Sequence, residues 1–183
     1  EDDLRSRFAD GNRASLRDLE PIRAYNEHYR KHRKTYHVQL QLESVALRGK
    51  PLPRVAALVE AMFMAEIKNM LLTAGHDLNA VRGPVTLDVS TGEERYTLMN
   101  GQEQNARPGD MMMSDGGGVI STVIYGPDRR TRIATETRHV AFLTYAAAGI
   151  GEEPVRRHLL DIQSHVALFA PDAHVDLLAV HSA

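Results

Sequence analysis

The chain has 183 residues, of which 43% are apolar and 25% charged, and it contains no cysteine. This length and composition indicate a soluble globular domain with a sizeable core, and they exclude disulfides, thiolate nucleophiles and cysteine-based zinc sites. The formal net charge of −2 excludes a positive field over the whole molecule, so nucleic acid would have to bind at a local basic patch. No apolar run reaches the ~18 residues of a membrane span. We therefore expect a cytoplasmic protein with no membrane partner.

The first third of the chain has the apolar spacing of helices. Residues at three- and four-residue steps share one helix face: Leu16, Leu19, Ile22, Tyr25 and Tyr29. The stretch 37–47 fits a strand or a helix, because its apolar residues alternate at first but no turn residue follows. A long apolar helix is predicted from Arg54 to about Leu72, ended by Gly75. Residues 1–50 are thus an N-terminal helical part, and 51–183 are an α+β core within one continuous domain.

After Asp77, short β-rich runs alternate with glycine and charged residues. Strands are predicted over 85–89, 95–99, 110–113, 119–125 and 139–145, with hairpin turns at Thr91-Gly92 and Asn100-Gly101. Helical spacing returns over 152–169, and 175–180 is a candidate for the last strand. N-terminal helices followed by a mainly antiparallel sheet and one late C-terminal helix predict an α+β fold.

Basic residues cluster where the first helical region ends. We predict that four of them contact RNA phosphates: Arg30, Lys31, Arg33 and Lys34. Tyr25, Tyr29 and Tyr36 lie among them, and their rings would suit stacking on bases. The alternative is a solvated helix face, since acidic residues lie on the same stretch.

His28 and His32 have the i, i+4 spacing that can hold a metal ion. Neither a HExxH pattern nor a clearly assigned acidic ligand accompanies them. We therefore predict no metal site, and no other cofactor.

Several short motifs occur in the order and at the spacing of a known family. They are Leu52-Pro53-Arg54, Ala74-Gly75-His76-Asp77-Leu78, Val81-Arg82-Gly83, Pro108-Gly109-Asp110, Ser114-Asp115, Gly118-Val119-Ile120-Ser121, Asp128-Arg129-Arg130-Thr131-Arg132-Ile133 and Thr135-Glu136-Thr137. Over 52–150 the sequence resembles the editing (B-three/B-four) domain of the phenylalanyl-tRNA synthetase beta subunit, above all its free-standing relatives. The resemblance implies the same α+β fold, so that 51–183 would be an editing-type core.

The resemblance also implies an activity, the removal in trans of a wrong amino acid from a mischarged tRNA. The bond cleaved is an ester to the terminal ribose. Such domains hold the ester, a water molecule and the ribose hydroxyl in line, so no protein nucleophile is required. A binding pocket separates similar amino acids by only ~1–3 kcal/mol per methylene, which is why a second, hydrolytic selection is useful. Mischarged tRNA is the expected partner, and a monomer is favoured although the sequence does not fix the oligomeric state.

His76 and Asp77 are the predicted catalytic residues. His76 would contact the substrate or orient the water, and Asp77 would hold its other nitrogen or a backbone amide. The alternative is a helix C-terminal cap, where a histidine is favourable.

The other candidate contacts lie in two glycine- and arginine-rich loops. We predict substrate contacts from Asp115, Gly117, Gly118, Tyr125 and Asp128, and further tRNA contacts from Arg129 and Arg130. The glycine-rich loop could offer backbone N–H groups to the ester carbonyl or the ribose. The alternatives are an ordinary hairpin turn, and a surface loop in which Asp128 pairs with an arginine.

Glu60, Phe63 and Glu66 on the long apolar helix are the last predicted substrate contacts. The two carboxylates lie roughly 240° apart around the helix, so they do not share a face. At Phe63 and Glu66 the chain departs from the residues of its relatives. An added carboxylate in an apolar pocket favours a guanidinium-like side chain. The sequence looks especially similar in type to a free-standing relative that clears canavanine from tRNA for arginine, so the resemblance implies canavanyl-tRNA as a candidate substrate. The alternative is a surface carboxylate paired with Lys68 or Arg54.

Two other functions remain open at this point. A non-catalytic tRNA-binding module would bind through the same residues with a steep salt dependence but would not cleave the ester. A small-molecule hydrolase or binder of the same fold would not need the basic cluster.

Overall fold

The structure, a computed structural model, describes residues 1–181 and divides into two compact units. The helical unit combines Glu1–Thr73 with the chain from Thr144 onward, and the sheet unit is Ala74–Leu143. Helices come first, antiparallel strands follow and a long helix comes late, so the predicted α+β fold is confirmed. The predicted division between residues 50 and 51 stays a prediction. No helix among residues 1–181 is long and apolar enough to cross a membrane.

Helices form most of the helical unit. In chain order they are α1 (Asp2–Arg7), α2 (Arg13–Arg17), α3 (Glu20–Lys31), α4 (His37–Leu42), a π-helix (Glu43–Leu47), α5 (Ala57–Asn69) and α6 (Glu152–Ala167). The stretch 37–47, which the sequence left open, is therefore helical. The helix predicted over 152–169 corresponds to α6.

The apolar series that begins at Leu16 extends across a break between α2 and α3. Asn12 caps α2, and its side chain accepts hydrogen bonds from two N–H groups of the first turn. Pro21 lies in the first turn of α3, where its missing N–H leaves no bond unmade. Leu16 and Ile22 are nevertheless both fully buried. The periodicity thus predicts the buried face but not the break.

Three tyrosines form the centre of the helical unit. The rings of Tyr25 and Tyr36 stack with centroids 4.3 Å apart, and the Tyr29 ring centroid lies 5.2 Å from that of Tyr36. The Tyr25 hydroxyl donates to the Tyr145 carbonyl and accepts from the Leu72 N–H at 3.1 Å. All three rings are at most 1% exposed, so they cannot stack on RNA bases and that part of the sequence interpretation is wrong.

The long apolar helix α5 ends earlier than predicted. Its last residue is Asn69, and Met70 then adopts a left-handed conformation with φ of 60°. Leu72–Asp77 forms a strand that includes Gly75. Nearly every residue of this strand is buried, and a short run buried on both faces cannot be told from a helix by periodicity. The predicted helix end at Gly75 is therefore wrong.

Strands dominate the sheet unit. They are β1 (Leu72–Asp77), β2 (Thr86–Val89), β3 (Arg95–Thr97), β4 (Glu103–Asn105), β5 (Met111–Asp115), β6 (Gly118–Thr122), β7 (Gly126–Pro127) and β8 (Val140–Tyr145). A four-stranded antiparallel sheet has the order β2-β5-β6-β7, β3 pairs with β4, and β1 pairs with β8. Both β1 and β8 run across the boundary between the units.

Two features predicted for the part of the sequence after Asp77 are wrong. The Asn100-Gly101 turn does join β3 to β4, as predicted. Thr91-Gly92 instead connects strands of different sheets, and the Glu94 carboxylate holds this turn by accepting from both N–H groups at 3.0 Å. The predicted strand over 175–180 is irregular chain, because its apolar residues are largely solvent-exposed, with Leu177 81% exposed.

We expect Arg33→Gly to stabilise the protein. Arg33 follows α3 with φ of 56°, and the N–H groups of Arg33 and Lys34 bond back to the Arg30 and Tyr29 carbonyls at 3.0 Å each. A left-handed residue other than glycine costs about 1 kcal/mol, so the substitution should raise the free energy of unfolding by that amount, or Tm by about 2–4 °C. Urea and thermal unfolding measure this effect.

The control for this substitution is Arg30→Gly, which lies inside α3. It should lower the free energy of unfolding by about 1 kcal/mol, because glycine is a poor helix former. A loss of stability in Arg33→Gly as large as that in the control would contradict the argument.

Candidate functional site

The sheet unit holds a buried histidine, His76, near the end of β1. Its side chain is only 1% exposed, and its Nδ1 lies 2.7 Å from Oγ1 of Thr131, which is also buried. The carbonyl of Thr131 accepts a hydrogen bond from the Asp77 N–H at 2.8 Å. This backbone bond holds Thr131 against β1, so the contact with His76 is set by main-chain geometry.

Asp128 extends this contact into a chain of hydrogen bonds. Its Oδ1 accepts from the Thr131 N–H at 2.9 Å and also from the Thr131 hydroxyl. The Asp128 N–H donates to the Ile120 carbonyl of β6 at 2.7 Å. His76, Thr131 and Asp128 are all buried, and we refer to them below as the His76 chain.

The imidazole of His76 is neutral at pH 7. Burial lowers its pKa to about 4; the Asp128 and Asp115 carboxylates act in the opposite direction, and Arg130 adds to the lowering. Within residues 1–181 the buried Nε2 of His76 has no hydrogen-bond partner. A buried polar atom without a partner costs about 1–3 kcal/mol, which makes Nε2 a candidate for contact with a ligand.

Asp115 and Arg130 form an ion pair that joins the His76 chain. Two guanidinium nitrogens of Arg130 donate to the two Asp115 oxygens at 2.7 and 3.0 Å, and Nε of Arg130 lies 3.6 Å from Oδ2 of Asp128. Burial opposes ionisation of Asp115, but bonds from Arg130 and from the Arg82 and Gly117 N–H groups outweigh it and lower its pKa to about 2. The pairing of Asp128 with an arginine was the alternative interpretation of this loop. The role of Arg130 in tRNA binding stays a prediction.

The loop from Asp115 to Gly118 is a tight hairpin turn between β5 and β6, as the alternative interpretation had it. The Gly117 N–H donates to Oδ1 of Asp115 at 2.7 Å, so it is not available to an ester carbonyl in this conformation. A Cβ at Gly117 would lie 3.1 Å from the Arg130 guanidinium, so any larger residue there would have to shift that side chain by a few tenths of an ångström. Substrate contact by Gly117 and Gly118 stays a prediction.

Asp77 lies beside His76 in β1, and neither residue caps a helix. The alternative interpretation of the pair is therefore wrong. One Asp77 oxygen accepts from the Asn79 N–H at 2.9 Å, and the other accepts from the Thr137 hydroxyl at 2.7 Å. Asp77 thus holds a backbone amide, one of the two roles predicted for it, and it braces the chain that leaves β1. Its catalytic role stays a prediction.

Tyr125 directly precedes β7, and Arg129 lies two residues after the end of this strand. Tyr125 packs against the cluster of Tyr96, Met112 and Val119, and its hydroxyl accepts from Nε of Arg107 at 2.8 Å. Arg129 is exposed. Because Arg107 also lies over the Tyr125 ring, at 5.9 Å from its centroid, this tyrosine already has a cationic neighbour. Its predicted contact with substrate and that of Arg129 with tRNA remain predictions.

Glu66 of α5 lies in the core of the helical unit. It is 2% exposed, and its Oε1 accepts from the Thr73 N–H at 2.8 Å. Burial raises its pKa to about 8, and the Thr73 hydrogen bond offsets this only in part. Glu66 is therefore mostly protonated at pH 7. The alternative pairing with Lys68 is wrong, because Lys68 bonds to Asp161 at 2.7 Å.

Glu60 and Phe63 are half-buried on the same helix. Oε1 of Glu60 accepts from the Val55 N–H at 2.9 Å, so this carboxylate holds the segment that enters α5. The predicted substrate contacts of Glu60, Phe63 and Glu66 stay predictions.

The predicted RNA-binding cations lie at the end of α3 and in the turn that follows. All four are exposed: Arg30, Lys31, Arg33 and Lys34. The ring of His28 on α3 and that of His32, which directly follows this helix, have centroids 5.2 Å apart. The predicted contact of the four cations with RNA phosphates stays a prediction.

Sequence reasoning missed two hydroxyl residues that organise the site, Thr131 and Thr137. Each donates to an aspartate, Thr131 to Asp128 and Thr137 to Asp77. A signal existed for Thr131 alone, because a threonine three residues after an aspartate often closes a local side-chain hydrogen bond. Thr137 bonds to a residue 60 positions away, which no local pattern indicates.

The buried titratable groups predict a stability maximum near pH 6.5. Burial lowers the pKa values of His76, His158 and His37 to about 4, so the stability they give is complete above about pH 6.5 and is lost on acidification. Burial raises the pKa of Glu66 to about 8, so its stability is complete below about pH 4.5 and is lost as the pH rises toward 8. Urea unfolding at a series of pH values measures the curve.

Glu66→Gln tests the alkaline side of this curve. Glutamine can accept the same hydrogen bond but cannot ionise, so the decline of up to about 1.4 kcal/mol per pH unit between about pH 7 and pH 8 should disappear. The exposed Glu27→Gln is the control and should keep the decline. An unchanged decline in Glu66→Gln would show that another group causes it.

Comparison with known proteins identifies a structural neighbour but no sequence family. The sequence matches no protein-family model, and no curated protein matches it. The structure is similar to an N-terminal fragment of the phenylalanyl-tRNA synthetase beta subunit from Pyrococcus horikoshii, with a TM-score of 0.50 and 15% identity. The match covers 61% of this chain and 40% of that fragment, so the chain spans less than half of its neighbour's length. At this identity the likeness shows a shared fold.

Proposed function

We propose that the chain is an aminoacyl-tRNA deacylase that acts in trans on mischarged tRNA. A water oxygen adds to the acyl carbon, the ester bond breaks, and the ribose oxygen leaves with a proton from the water. The fold shared with the synthetase fragment and the resemblance to its editing domain support a tRNA end as substrate. The observation that carries the proposal is the buried Nε2 of His76, which has no partner among residues 1–181.

The chemistry suits positioning better than strong acid–base catalysis. With a pKa of about 4, His76 is a weak base at pH 7 but a good hydrogen-bond acceptor. Holding water, ester and ribose hydroxyl in line can supply ~7–11 kcal/mol of the barrier reduction without a protein nucleophile. His76 would therefore orient a reacting group, and Asp77 would keep the end of β1 in place through Asn79 and Thr137.

The remaining contacts follow the sequence predictions. In the sheet unit, the proposed contacts to the terminal nucleotide are Asp115, Gly117, Gly118, Tyr125 and Asp128. In the helical unit, the proposed contacts to the amino acid side chain are Glu60, Phe63 and Glu66. A protonated Glu66 would ionise if a cationic side chain came near, so binding would release a proton. We propose canavanyl-tRNA for arginine as the substrate on this basis.

We expect His76→Gln to lower kcat by about 100-fold on the tRNA that the wild-type protein cleaves, in line with the loss of a group that organises proton transfer. The assay follows ester loss from a panel of mischarged tRNAs that includes canavanyl-, arginyl- and phenylalanyl-tRNA. His139→Gln is the control, because His139 is exposed and lies in the same unit. Thermal unfolding of each variant separates lost chemistry from lost fold.

Two outcomes would contradict the deacylase proposal. If none of the mischarged tRNAs in the panel loses its ester, the proposed deacylase activity is contradicted. Tight tRNA binding without ester loss would instead support the non-catalytic tRNA-binding module.

The cations at the end of α3 are proposed to bind tRNA phosphates. Arg33 keeps a left-handed conformation where glycine would cost less, so a cation is retained at the expense of backbone strain. The net charge of −2 makes this local cluster the region where anionic RNA would be attracted.

We expect the double substitution Arg33→Gln, Lys34→Gln to weaken tRNA binding and to flatten its salt dependence. Each lost phosphate contact should reduce the slope of log K against log salt by about 0.7–0.9. Binding at several salt concentrations measures the slope. The matched control is Arg156→Gln, Arg157→Gln, two exposed cations of α6. Equal slopes for the two double variants would exclude the α3 cluster as the binding surface.

A further inference from the structure

The hydrogen-bond chain behind His76 has only one consistent direction. The Thr131 hydroxyl carries a single proton, and it donates that proton to the Asp128 oxygen, which has none to give. Thr131 therefore presents a lone pair to Nδ1 of His76 at 2.7 Å. Nδ1 must carry the ring proton, and Nε2 must carry the lone pair.

We propose that Thr131 and Asp128 are positioning residues that hold His76 as a hydrogen-bond acceptor, and that Nε2 receives an O–H group of the bound reactants. This proposal rests on the deacylase function, and it names the chemistry that meets His76. The O–H group is either a hydroxyl of the terminal ribose or the attacking water. A carbonyl oxygen or an oxyanion is excluded as the direct partner, because it has no proton to donate.

The charged groups around His76 favour a neutral imidazole, whose Nε2 accepts a hydrogen bond, over an imidazolium, whose Nε2 would donate one. His76 is 1% exposed, and the charged groups that face it are Asp128, Asp115 and Arg130. The two carboxylates are already bonded to Arg130, at 2.7 Å from Asp115 and 3.6 Å from Asp128. Little negative charge is thus left to stabilise an imidazolium. A donor that binds Nε2 also removes the cost of leaving this buried acceptor unfilled.

Two-bond ¹H–¹⁵N correlation spectra of the ¹⁵N-labelled 183-residue chain test the tautomer directly. We expect pyrrole-like Nδ1 and pyridine-like Nε2 signals for His76, unchanged from pH 8 down to about pH 5, because the pKa lies at about 4. A protonated Nε2 in the wild-type protein would overturn the proposal.

Thr131→Val removes the hydroxyl and keeps the shape, and Thr131→Ser is its matched control because it keeps the hydroxyl. The valine variant should populate the Nε2-protonated tautomer and lose about 10- to 100-fold in kcat, with a smaller change in KM. The serine variant should keep the wild-type tautomer and most of the activity. A wild-type tautomer in Thr131→Val would overturn the positioning role, whatever its stability.

Unreactive nucleosides distinguish the two sources of the O–H group. Adenosine that shifts the Nε2 signal, while dideoxyadenosine does not, would identify a ribose hydroxyl as the donor. If neither shifts it and Thr131→Val still loses kcat, the donor is the water. Both results support an acceptor role. Wild-type tautomer signals in a protein that cleaves no tRNA ester would refute the deacylase function alone, and ester cleavage with a protonated Nε2 would refute this inference alone.

Discussion

The buried Asp128 carboxylate is the constraint on which the geometry of the sheet unit depends. A charge taken out of water is tolerated only when it is paired and hydrogen-bonded. Asp128 meets that requirement through the Thr131 N–H and hydroxyl and through Arg130. Both partners also contact a second residue: Arg130 pairs with Asp115 at the β5–β6 turn, and Thr131 contacts His76. The orientation of one imidazole thus follows from the need to satisfy one carboxylate.

Glu66, a buried carboxyl group of the helical unit, avoids the cost of a buried charge by a different means from Asp128. Glu66 has one backbone donor, the Thr73 N–H, and burial raises its pKa to about 8. The group avoids the cost of a buried charge by keeping its proton. The Asp128 network is therefore fixed by its partners, whereas the state of Glu66 responds to whatever approaches it. His76 is an acceptor of fixed orientation, whereas Glu66 can change its protonation state. Of these two groups, Glu66 is the one that can couple the binding of a cationic ligand to the release of a proton.

Patterns that are local in sequence were predicted well, and features that depend on tertiary contact were not. The strands near 86–89 and 140–145 and helix α6 follow from spacing and turn residues alone. β1 was assigned to the preceding helix, since a strand buried on both faces carries no alternation. The tyrosines of α3 were interpreted as a stacking surface, because aromatic residues between cations look the same in sequence whether they face solvent or the core.

The candidate site shows the same division. His76, Asp115 and Asp128 could be named from the sequence because they lie in short motifs that resemble a family. Their connection could not, because Thr131 bonds to a histidine 55 positions earlier in the chain. The 240° angle between Glu60 and Glu66 indicated that the two carboxylates differ in environment. Only the packing of α5 decides that Glu66 is the buried one.

A neutral, deeply buried imidazole limits what the sheet unit can do chemically. It cannot compensate a developing negative charge, and with a pKa of about 4 it accepts a full proton only weakly at pH 7. It can accept a hydrogen bond with fixed direction, because Thr131 and Asp128 hold its tautomer. In the ester hydrolysis that we propose, the proton would pass from the water to the ribose oxygen once the two are in line, so the protein would have to supply direction. The absence of cysteine and the weak basicity of His76 are then consistent with catalysis by placement of reactants.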